Sequence, residues 1–346
     1  MTVVMVEDLD PTSADAGVPA HYGDPMREQR TLATAVGLVD RSNRDVIAVP
    51  GDERAGWLHT LTSQHLSDLG KDQGSELLVL SPHGHVEQHA YVTEDGTTAW
   101  LDTEPGAGAG LLKYLEMMRF FTRVEPRDAS GEIAVLSLVG PGAADLFPGL
   151  AAPRLGAVPG PKFASGTVPS EPTSLYAAAP FHGGLARRVP SGVDLLVPRE
   201  AKTAVIEQLG VPLAGLLAYE AIRVEHRRPR LGWETDHRTI PAEAELVAAA
   251  VHLDKGCYRG QETVARVHHL GRPPRRLVLL HFDGIATDQP PAQGTPVVSG
   301  GREVGFIGTA VRHHELGLVA LAVLKRNVAD DAPLSVGESA VAIDPS

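Results

Sequence analysis

The sequence predicts an α+β protein with two related α+β domains, 25–130 and 131–271, followed by a C-terminal β-barrel over 272–346. The order strand, helix, strand, strand, helix occurs roughly twice before the barrel. After Arg276 the chain instead consists of short β-type runs separated by turns rich in Gly, Pro and Asp. Residues 1–24 are acidic and contain Pro and Ser, so we expect only partial order there.

Each element is predicted from its local pattern. Apolar residues at helical spacing predict helices, and apolar or alternating runs between turn residues predict strands. Helices are predicted over 28–40, 54–61, 111–121, 140–147, 200–209, 212–226 and 262–269. Strands are predicted over 45–49, 76–80, 85–92, 133–139, 193–197, 277–282, 295–298, 304–310 and 318–324.

Composition limits the function. The 346 residues carry a formal net charge of −12, which repels polyanions, so we expect no direct nucleic-acid binding. A single cysteine, Cys257, excludes an internal disulfide and a zinc site made of several thiolates. The N-terminus has no basic segment followed by a long apolar run, and no stretch has the length of a membrane span. We therefore expect a soluble, cytoplasmic protein.

The most specific pattern is Asp-Lys-Gly-Cys-Tyr-Arg-Gly-Gln-Glu at 254–262, which we call the signature loop. Its two glycines permit tight turns or a close approach of a ligand. Cys257 lies between Lys255 and Arg259 and ahead of a predicted helix, surroundings that favour a reactive thiolate. A buried cysteine in a tight turn is the alternative interpretation.

The run 255–262 resembles the K-G-C-[FY]-x-G-Q-E motif of the YgfZ family, whose members are similar to the glycine-cleavage T-protein and bind tetrahydrofolate. The resemblance covers roughly residues 25–340. Further residues that resemble the family pattern are Arg223, Glu225, Gly232, Thr239, Pro241, Glu243 and Leu246.

The resemblance implies a T-protein-like fold in which two α+β domains surround a central folate cavity. It implies tetrahydrofolate, or a one-carbon derivative, as the cofactor. It also implies an accessory function for iron–sulfur enzymes, including one that modifies tRNA. Iron–sulfur proteins are therefore the expected partners, and the resemblance does not identify them further.

A folate site needs a carboxylate for the pterin N–H groups and cations for the glutamate tail. Asp194 is the expected pterin ligand, because its Gly-Val-Asp resembles a Gly-Val-Glu of the T-protein. Arg223 is a candidate for the tail. The signature loop adds four folate-binding candidates, Lys255, Tyr258, Gln261 and Glu262, and one candidate reactive thiol, Cys257.

One alternative is aminomethyl transfer itself. The T-protein carries a Gly-Gly-Ile-x-Asp-Asp hairpin, and in the similar hairpin here Glu87 replaces the first aspartate and Gln88 the second. Glu87 remains a candidate catalytic carboxylate, but the second carboxylate is lost, which disfavours this chemistry.

The other alternative is a metal-dependent enzyme. His85, Glu87 and His89 are two residues apart along a predicted strand and share one face. Two imidazoles and one carboxylate are a ligand set of catalytic metal sites.

Overall fold

The computed structural model describes residues 2–150, 176–286 and 289–345. Its helices are α1 (Val6–Leu9), α2 (Pro25–Thr34), α3 (Arg54–Leu61), α4 (Gly108–Met117), α5 (Lys202–Leu209), α6 (Leu216–Glu225), α7 (Val247–Ala250) and α8 (Gln261–Leu270). Its strands are β1 (Val4–Met5), β2 (Pro19–His21), β3 (Gly37–Asp40), β4 (Asp45–Pro50), β5 (Gln73–Leu80), β6 (Val86–Glu94), β7 (Thr98–Thr103), β8 (Arg127–Asp128), β9 (Ile133–Val139), β10 (Ala178–Phe181), β11 (Gly184–Val189), β12 (Gly192–Pro198), β13 (Leu213–Ala214), β14 (Arg275–Phe282), β15 (Pro296–Ser299), β16 (Arg302–His313), β17 (Gly317–Lys325), β18 (Leu334–Val336) and β19 (Ser339–Ile343).

The first sheet has five antiparallel strands in the order β5-β6-β7-β4-β8. One face packs against α3 and α4 through buried aliphatic side chains such as Leu77, Val92 and Leu101. Because side chains alternate along a strand, the residues between these point to the opposite face. That face is polar and carries Glu76, Tyr91 and Asp102.

The second sheet has six strands in the order β10-β11-β12-β9-β3-β13. Its apolar face, with Leu136 and Leu195, forms a core that includes Val205 of α5. The alternate positions again carry polar side chains, among them Arg187 and Asp194. The polar faces of the two sheets meet through ionic contacts described below.

Strand β3 differs from the prediction. Residues 28–40 were predicted as one helix, whereas α2 ends at Thr34 and residues 37–40 form a strand between β9 and β13. A side chain at Gly37 would place its Cβ 2.6 Å from Leu32, so glycine permits the close return of the chain after α2. Pairing on both edges outweighs the helical spacing of the apolar residues. The N-terminal part of the first predicted domain therefore contributes to the sheet of the second.

Strands β14 to β19 form a closed barrel in the order β14-β17-β16-β15-β18-β19, which confirms the predicted barrel. Leu280, Ile307 and Leu324 lie in its core. Other barrel side chains, including Val319, pack on Ala221 of α6. This helix thus connects the second sheet to the barrel.

Residues 2–24 contain regular structure that their composition did not predict. β1 pairs with β2, and the side chain of Asp15 is buried. Both carboxylate oxygens of Asp15 accept hydrogen bonds from Arg230, at 2.8 and 2.9 Å. In the described part of the chain, no helix combines the length and the apolar character that crossing a membrane requires.

Candidate functional site

Arg187 and Asp194 lie opposite each other on the polar face of the second sheet. They are cross-strand partners of β11 and β12, and Arg187 Nη2 donates to Asp194 Oδ2 at 3.0 Å. Ser137 of β9 donates its hydroxyl to Asp194 Oδ1 at 2.6 Å. The completely buried Arg187 also donates to Asp102 Oδ1 of the first sheet at 2.6 Å. One guanidinium therefore joins the two sheets.

The ionic contacts continue from Asp102 towards the barrel. Arg44 donates to Asp102 Oδ2 at 3.0 Å and to Glu104 Oε1 at 2.6 Å. Arg230 donates to Glu104 Oε2 at 2.7 Å and lies 3.4 Å from Glu220 of α6. We call this connected set the central ionic cluster. Its members are Asp15, Arg44, Asp102, Glu104, Arg187, Asp194, Glu220, Arg223, Arg230 and Glu234.

Arg223, the candidate for the folate tail, is engaged inside this cluster. Its Nη2 donates to Glu220 Oε2 at 2.6 Å and to the hydroxyl of Thr309 in β16 at 2.5 Å. Its Nη1 lies 3.4 Å from Glu234 Oε2. The side chain is only 5% exposed. Arg223 therefore ties α6 to the barrel, and its charge is directed at neighbouring carboxylates.

Two half-buried tyrosines border the Arg187–Asp194 pair. The guanidinium of Arg187 lies 4.7 Å from the ring centre of Tyr91. The guanidinium of Arg41 lies 4.2 Å from the ring centre of Tyr219 and 4.0 Å from Asp194. Burial raises the pKa of both phenols, so each keeps its O–H donor at neutral pH. Both rings offer flat surfaces to which another ring can stack.

Asp194 retains capacity to accept hydrogen bonds. An ionised carboxylate offers about four lone-pair positions. Ser137 and Arg187 use two of them. The remaining positions suit N–H donors of a ligand, and a buried carboxylate beside aromatic rings is what a flat heterocycle with N–H groups requires.

A second buried carboxylate, Glu76 of β5, lies on the polar face of the first sheet. It accepts hydrogen bonds from His89 Nε2 at 2.9 Å, from the Tyr176 hydroxyl and from the Arg228 guanidinium. Burial alone would raise the pKa of Glu76, but Arg228 and the hydrogen bonds from His89 and Tyr176 hold it well below its usual range. Glu76 is therefore ionised at neutral pH.

The proposed metal ligands point to different partners. His89 is bonded to the buried Glu76, whereas Glu87 is exposed and pairs with Arg259 Nη1 at 3.1 Å. Across the described ranges, no group of three or more His, Cys, Asp or Glu side chains is arranged to hold a metal ion. This arrangement does not favour His85, Glu87 and His89 as a metal site, because His89 and Glu87 bind different partners, and the metal-site interpretation stays a prediction.

Within the signature loop, Lys255 is turned inward. Its ammonium donates to the carbonyls of His59, Thr62 and Gln64, at 2.7 Å for Thr62 and 2.9 Å for Gln64. Burial lowers the pKa of Lys255 to about 8, while the three carbonyl oxygens favour the protonated form. All three donors of the ammonium are occupied. Lys255 therefore fastens the loop to the end of α3.

The other folate candidates of the loop also have separate surroundings. Tyr258 is buried in an apolar cluster, and its hydroxyl has no hydrogen-bond partner among the residues the structure describes. Gln261 donates to the carbonyl of Lys255 at 3.1 Å, and Glu262 is exposed at the start of α8. Asp194 instead forms hydrogen bonds with Ser137 and Arg187. The predicted folate-binding residues of the signature loop and Asp194 therefore belong to two separate groups of contacts.

Cys257 is exposed, which contradicts the alternative of a buried cysteine in a turn. The two cations beside it in the sequence are both engaged elsewhere. Lys255 binds backbone carbonyls and Arg259 pairs with Glu87. The positive charges of Lys255 and Arg259, which were expected to favour the thiolate, are therefore directed at other groups.

The signature loop packs on the tip of the hairpin between β5 and β6. A Cβ added at Gly260, where φ is +80°, would lie 2.6 Å from the carbonyl oxygen of Ser81 and 2.7 Å from Gly84 Cα. L-residues rarely adopt this backbone conformation. Gly260 therefore permits a left-handed backbone and the close approach of another chain segment, whereas the sequence predicted either a tight turn or the close approach of a ligand.

The sequence prediction missed the partners that hold Asp194. One signal was present for Arg187: a two-residue turn joins β11 and β12, and counting back from it places Arg187 opposite Asp194. An arginine at the centre of an apolar strand also indicates a buried partner. Asp102 and Arg44 come from distant segments, so no local pattern indicated their contact.

The fold and the sequence can be compared with known proteins. The crystal structure of the glycine cleavage system aminomethyltransferase T from Bartonella henselae superimposes with a TM-score of 0.77 and 19% sequence identity, over 97% of this chain and 92% of that one. The protein therefore has a T-protein-like fold, as the sequence predicted. Residues 275–346 match the family model described as the CAF17 C-terminal β-barrel domain.

The curated relatives of this chain include proteins named as an aminomethyltransferase and as a transferase. An aminomethyltransferase of Symbiobacterium thermophilum is 27% identical over 84% of this chain and 79% of its own length. A chloroplastic protein of Arabidopsis thaliana, named as a transferase, is 25% identical over 84% of this chain, which spans 66% of that protein. The barrel domain and these relatives support a T-protein-like family.

Proposed function

We propose that this protein binds tetrahydrofolate, or a one-carbon derivative of it, between the polar faces of its two sheets. The observation that carries the proposal is the buried carboxylate of Asp194, held by Ser137 and Arg187 beside Tyr91. The T-protein-like fold and the relatives named aminomethyltransferase support a folate ligand.

The carboxylate of Asp194 would accept hydrogen bonds from the amino group and ring N–H of the pterin. Tyr91 and Tyr219 would cover the flat faces of the ring. Arg223 is not assigned to the glutamate tail, because its donors are directed at Glu220 and Thr309.

Calorimetric titration with tetrahydrofolate tests the proposal. Asp194→Asn keeps the size of the side chain and removes its charge, and we expect at least about tenfold weaker binding, since charge-assisted hydrogen bonds contribute about 1.5–3 kcal/mol. Glu234→Gln is the matched control, because it alters another buried carboxylate of the same cluster, whose partners are Arg223 and the backbone N–H groups of Arg230 and Thr309. Absence of binding by the wild type would contradict the proposal, as would equal affinity of the two variants.

We further propose that the protein is a cytoplasmic accessory protein for iron–sulfur enzymes, including tRNA-modifying ones. The support is the resemblance of the signature loop to the YgfZ motif and the exposure of Cys257, where a partner protein can reach the thiol. The activity of iron–sulfur enzymes in cells that lack this protein is the test. We expect the wild type to restore activity and Cys257→Ser to fail at equal protein level. No effect of the wild type would overturn the accessory function, and full restoration by the serine variant would remove Cys257 from it.

Aminomethyl transfer is the second candidate, favoured by the names of the bacterial relatives. Glu87, its candidate catalytic carboxylate, is paired with Arg259 at the surface, which disfavours it. An assay with tetrahydrofolate and an aminomethyl-loaded lipoyl carrier separates the two functions. We expect no methylene-tetrahydrofolate above background, and its formation at a rate that depends on Glu87 would reverse this ranking.

A further inference from the structure

A cleft with a volume of about 180 Å³ lies where the chain that follows α6 meets the barrel. Its walls come from residues 227, 242 and 245 on one side, and from β14, the chain after β17 and the end of β19 on the other. No residue that lines it belongs to the central ionic cluster, so the cleft is separate from the proposed folate site. Pockets for drug-sized ligands have about 300–1,000 Å³, so this one admits only a smaller molecule.

The cleft is lined by three arginines and three acidic side chains, and four of these six form ion pairs. Arg227 Nη2 donates to Asp344 Oδ1 at 2.8 Å. Arg276 Nη2 donates to Asp330 Oδ1 at 2.5 Å. These pairs leave one guanidinium and one carboxylate of the cleft.

The remaining two charges belong to Arg326 and Glu245. In the ranges that the structure describes, neither side chain has a hydrogen bond or an ion pair, although both line the same cleft. Their charged groups are therefore too far apart to bond to each other. Burial raises the pKa of Glu245, and the charge of Arg227 opposes this rise. A half-buried carboxylate without a bonded partner is stabilised when a cation binds beside it.

The backbone fixes the side of the cleft that carries Glu245. Glu245 has a φ of +59° and Arg227 a φ of +53°. Residues with a Cβ rarely adopt such values, and they do so where the surrounding structure imposes them. The fold therefore sets the positions of these two residues, and the carboxylate is held in place before a ligand binds.

The rest of the wall is apolar. It consists of Ala242, Leu277, Val278, Ile343 and Pro345. A ligand that bridges the two unpaired charges can therefore also bury a small apolar group.

We propose that this cleft binds a small zwitterion of the class of α-amino acids with a short apolar side chain. Its carboxylate bonds to the guanidinium of Arg326, and its ammonium bonds to Glu245. A simple anion would leave Glu245 unpaired, and a simple cation would leave Arg326 unpaired. A site that pairs with a polar group of its ligand rejects the analogue that lacks this group.

Three probes of similar size separate the two charges of the ligand. L-Valine carries both. Its 2-hydroxy acid analogue has a hydroxyl in place of the ammonium, and valinamide has an amide in place of the carboxylate. Calorimetric titration of the full chain with each probe gives three dissociation constants. We expect valine to bind at least about tenfold more tightly than either analogue.

Two variants test which residue reads which charge, after thermal unfolding has confirmed that each is folded. Glu245→Gln keeps the size of the side chain, and we expect it to remove the preference for valine over the hydroxy acid. Arg326→Met should remove the preference for valine over valinamide. Glu338→Gln and Arg302→Met are the matched controls, because both residues are exposed in the barrel and neither lines the cleft.

The controls should bind valine as tightly as the wild type. A wild type that does not bind valine, or that binds an analogue as tightly, overturns the inference. Equal affinity for valine in Glu245→Gln and Glu338→Gln also overturns it. None of these results bears on the proposed function, which is tested by the titration with tetrahydrofolate.

Discussion

Arg187 and Asp194 form a cross-strand ion pair whose guanidinium is shared with Asp102 of the facing sheet. All three side chains are at most 2% exposed. Burying a charge costs several kcal/mol unless it is paired and hydrogen-bonded. The arrangement therefore fixes the carboxylate of Asp194 relative to both sheets, and the orientation required for a ligand is present before the ligand binds.

Removal of Arg187 should destabilise the fold strongly. Arg187→Met leaves the carboxylates of Asp102 and Asp194 buried without their shared partner, and we expect a loss of about 3–5 kcal/mol in the free energy of unfolding. Urea denaturation measures it. Arg127→Met is the control, because Arg127 is 46% exposed and pairs with the exposed Glu132, so about 1 kcal/mol or less is expected. Similar losses in both variants would argue against the central ionic cluster as a structural element.

Lys255→Met should loosen the signature loop. It removes three hydrogen bonds to carbonyls at the end of α3 and leaves those acceptors unpaired. We expect faster amide hydrogen exchange over 253–262 with little change in the barrel, measured by mass spectrometry. The exposed Lys113 provides the matched substitution to methionine. If exchange in the loop stays as slow as in the wild type, Lys255 does not fasten it.

Gly260→Ala should separate the signature loop from the hairpin. The added Cβ would contact the backbone of Ser81 and Gly84, and the residue has a positive φ. We expect destabilisation of about 1–3 kcal/mol. Gly256→Ala is the control, because a Cβ at that position meets nothing within 4 Å. A loss in the Gly256 variant equal to that in the Gly260 variant would contradict the close packing.

The protein should become less stable in mild acid, because His59 and His252 bind fewer protons in the folded than in the unfolded state. Burial lowers the pKa of both, and the charge of Lys255 lowers that of His59 further, as His65 lowers that of His252. A histidine with a lower pKa in the folded than in the unfolded state binds fewer protons when folded. Its contribution is therefore present above about pH 6.5 and is lost as the pH falls below that value.

The check is the melting temperature at pH 7.5 and 5.5. We expect the melting temperature of the wild type to fall more between these two pH values than that of the double variant His59→Asn, His252→Asn. A single His237→Asn substitution controls for an exposed histidine. Equal losses in the wild type and the double variant would show that these two rings do not titrate during unfolding.

Local patterns predicted most elements and much less of the site. The helix 54–61 and the strand 133–139 have the predicted bounds, because each is a short periodic run between turn residues. The strand at 37–40 was missed, since only its pairing with β9 and β13 favours an extended backbone. Sequence spacing also predicted that His85, Glu87 and His89 share one face, whereas in the structure His89 binds Glu76 of β5 and Glu87 binds Arg259 of the signature loop.

Tertiary contacts decide which partners the candidate residues bind, and the sequence does not show these contacts. Asp194 was identified by resemblance, but its partner Arg187 is shared with Asp102 of the facing sheet. Arg223 and Lys255 have the charge that a folate tail requires, yet burial makes acidic side chains and backbone carbonyls their partners. A positive charge in a motif therefore does not by itself indicate a ligand contact.

The most direct test of the folate site is a crystal structure of the protein with tetrahydrofolate bound. We predict that the amino group or a ring N–H of the pterin lies within hydrogen-bond distance of Asp194, with the ring against Tyr91 or Tyr219. A pterin bound elsewhere, with Asp194 contacted only by Ser137, Arg187 and Arg41, would contradict the account.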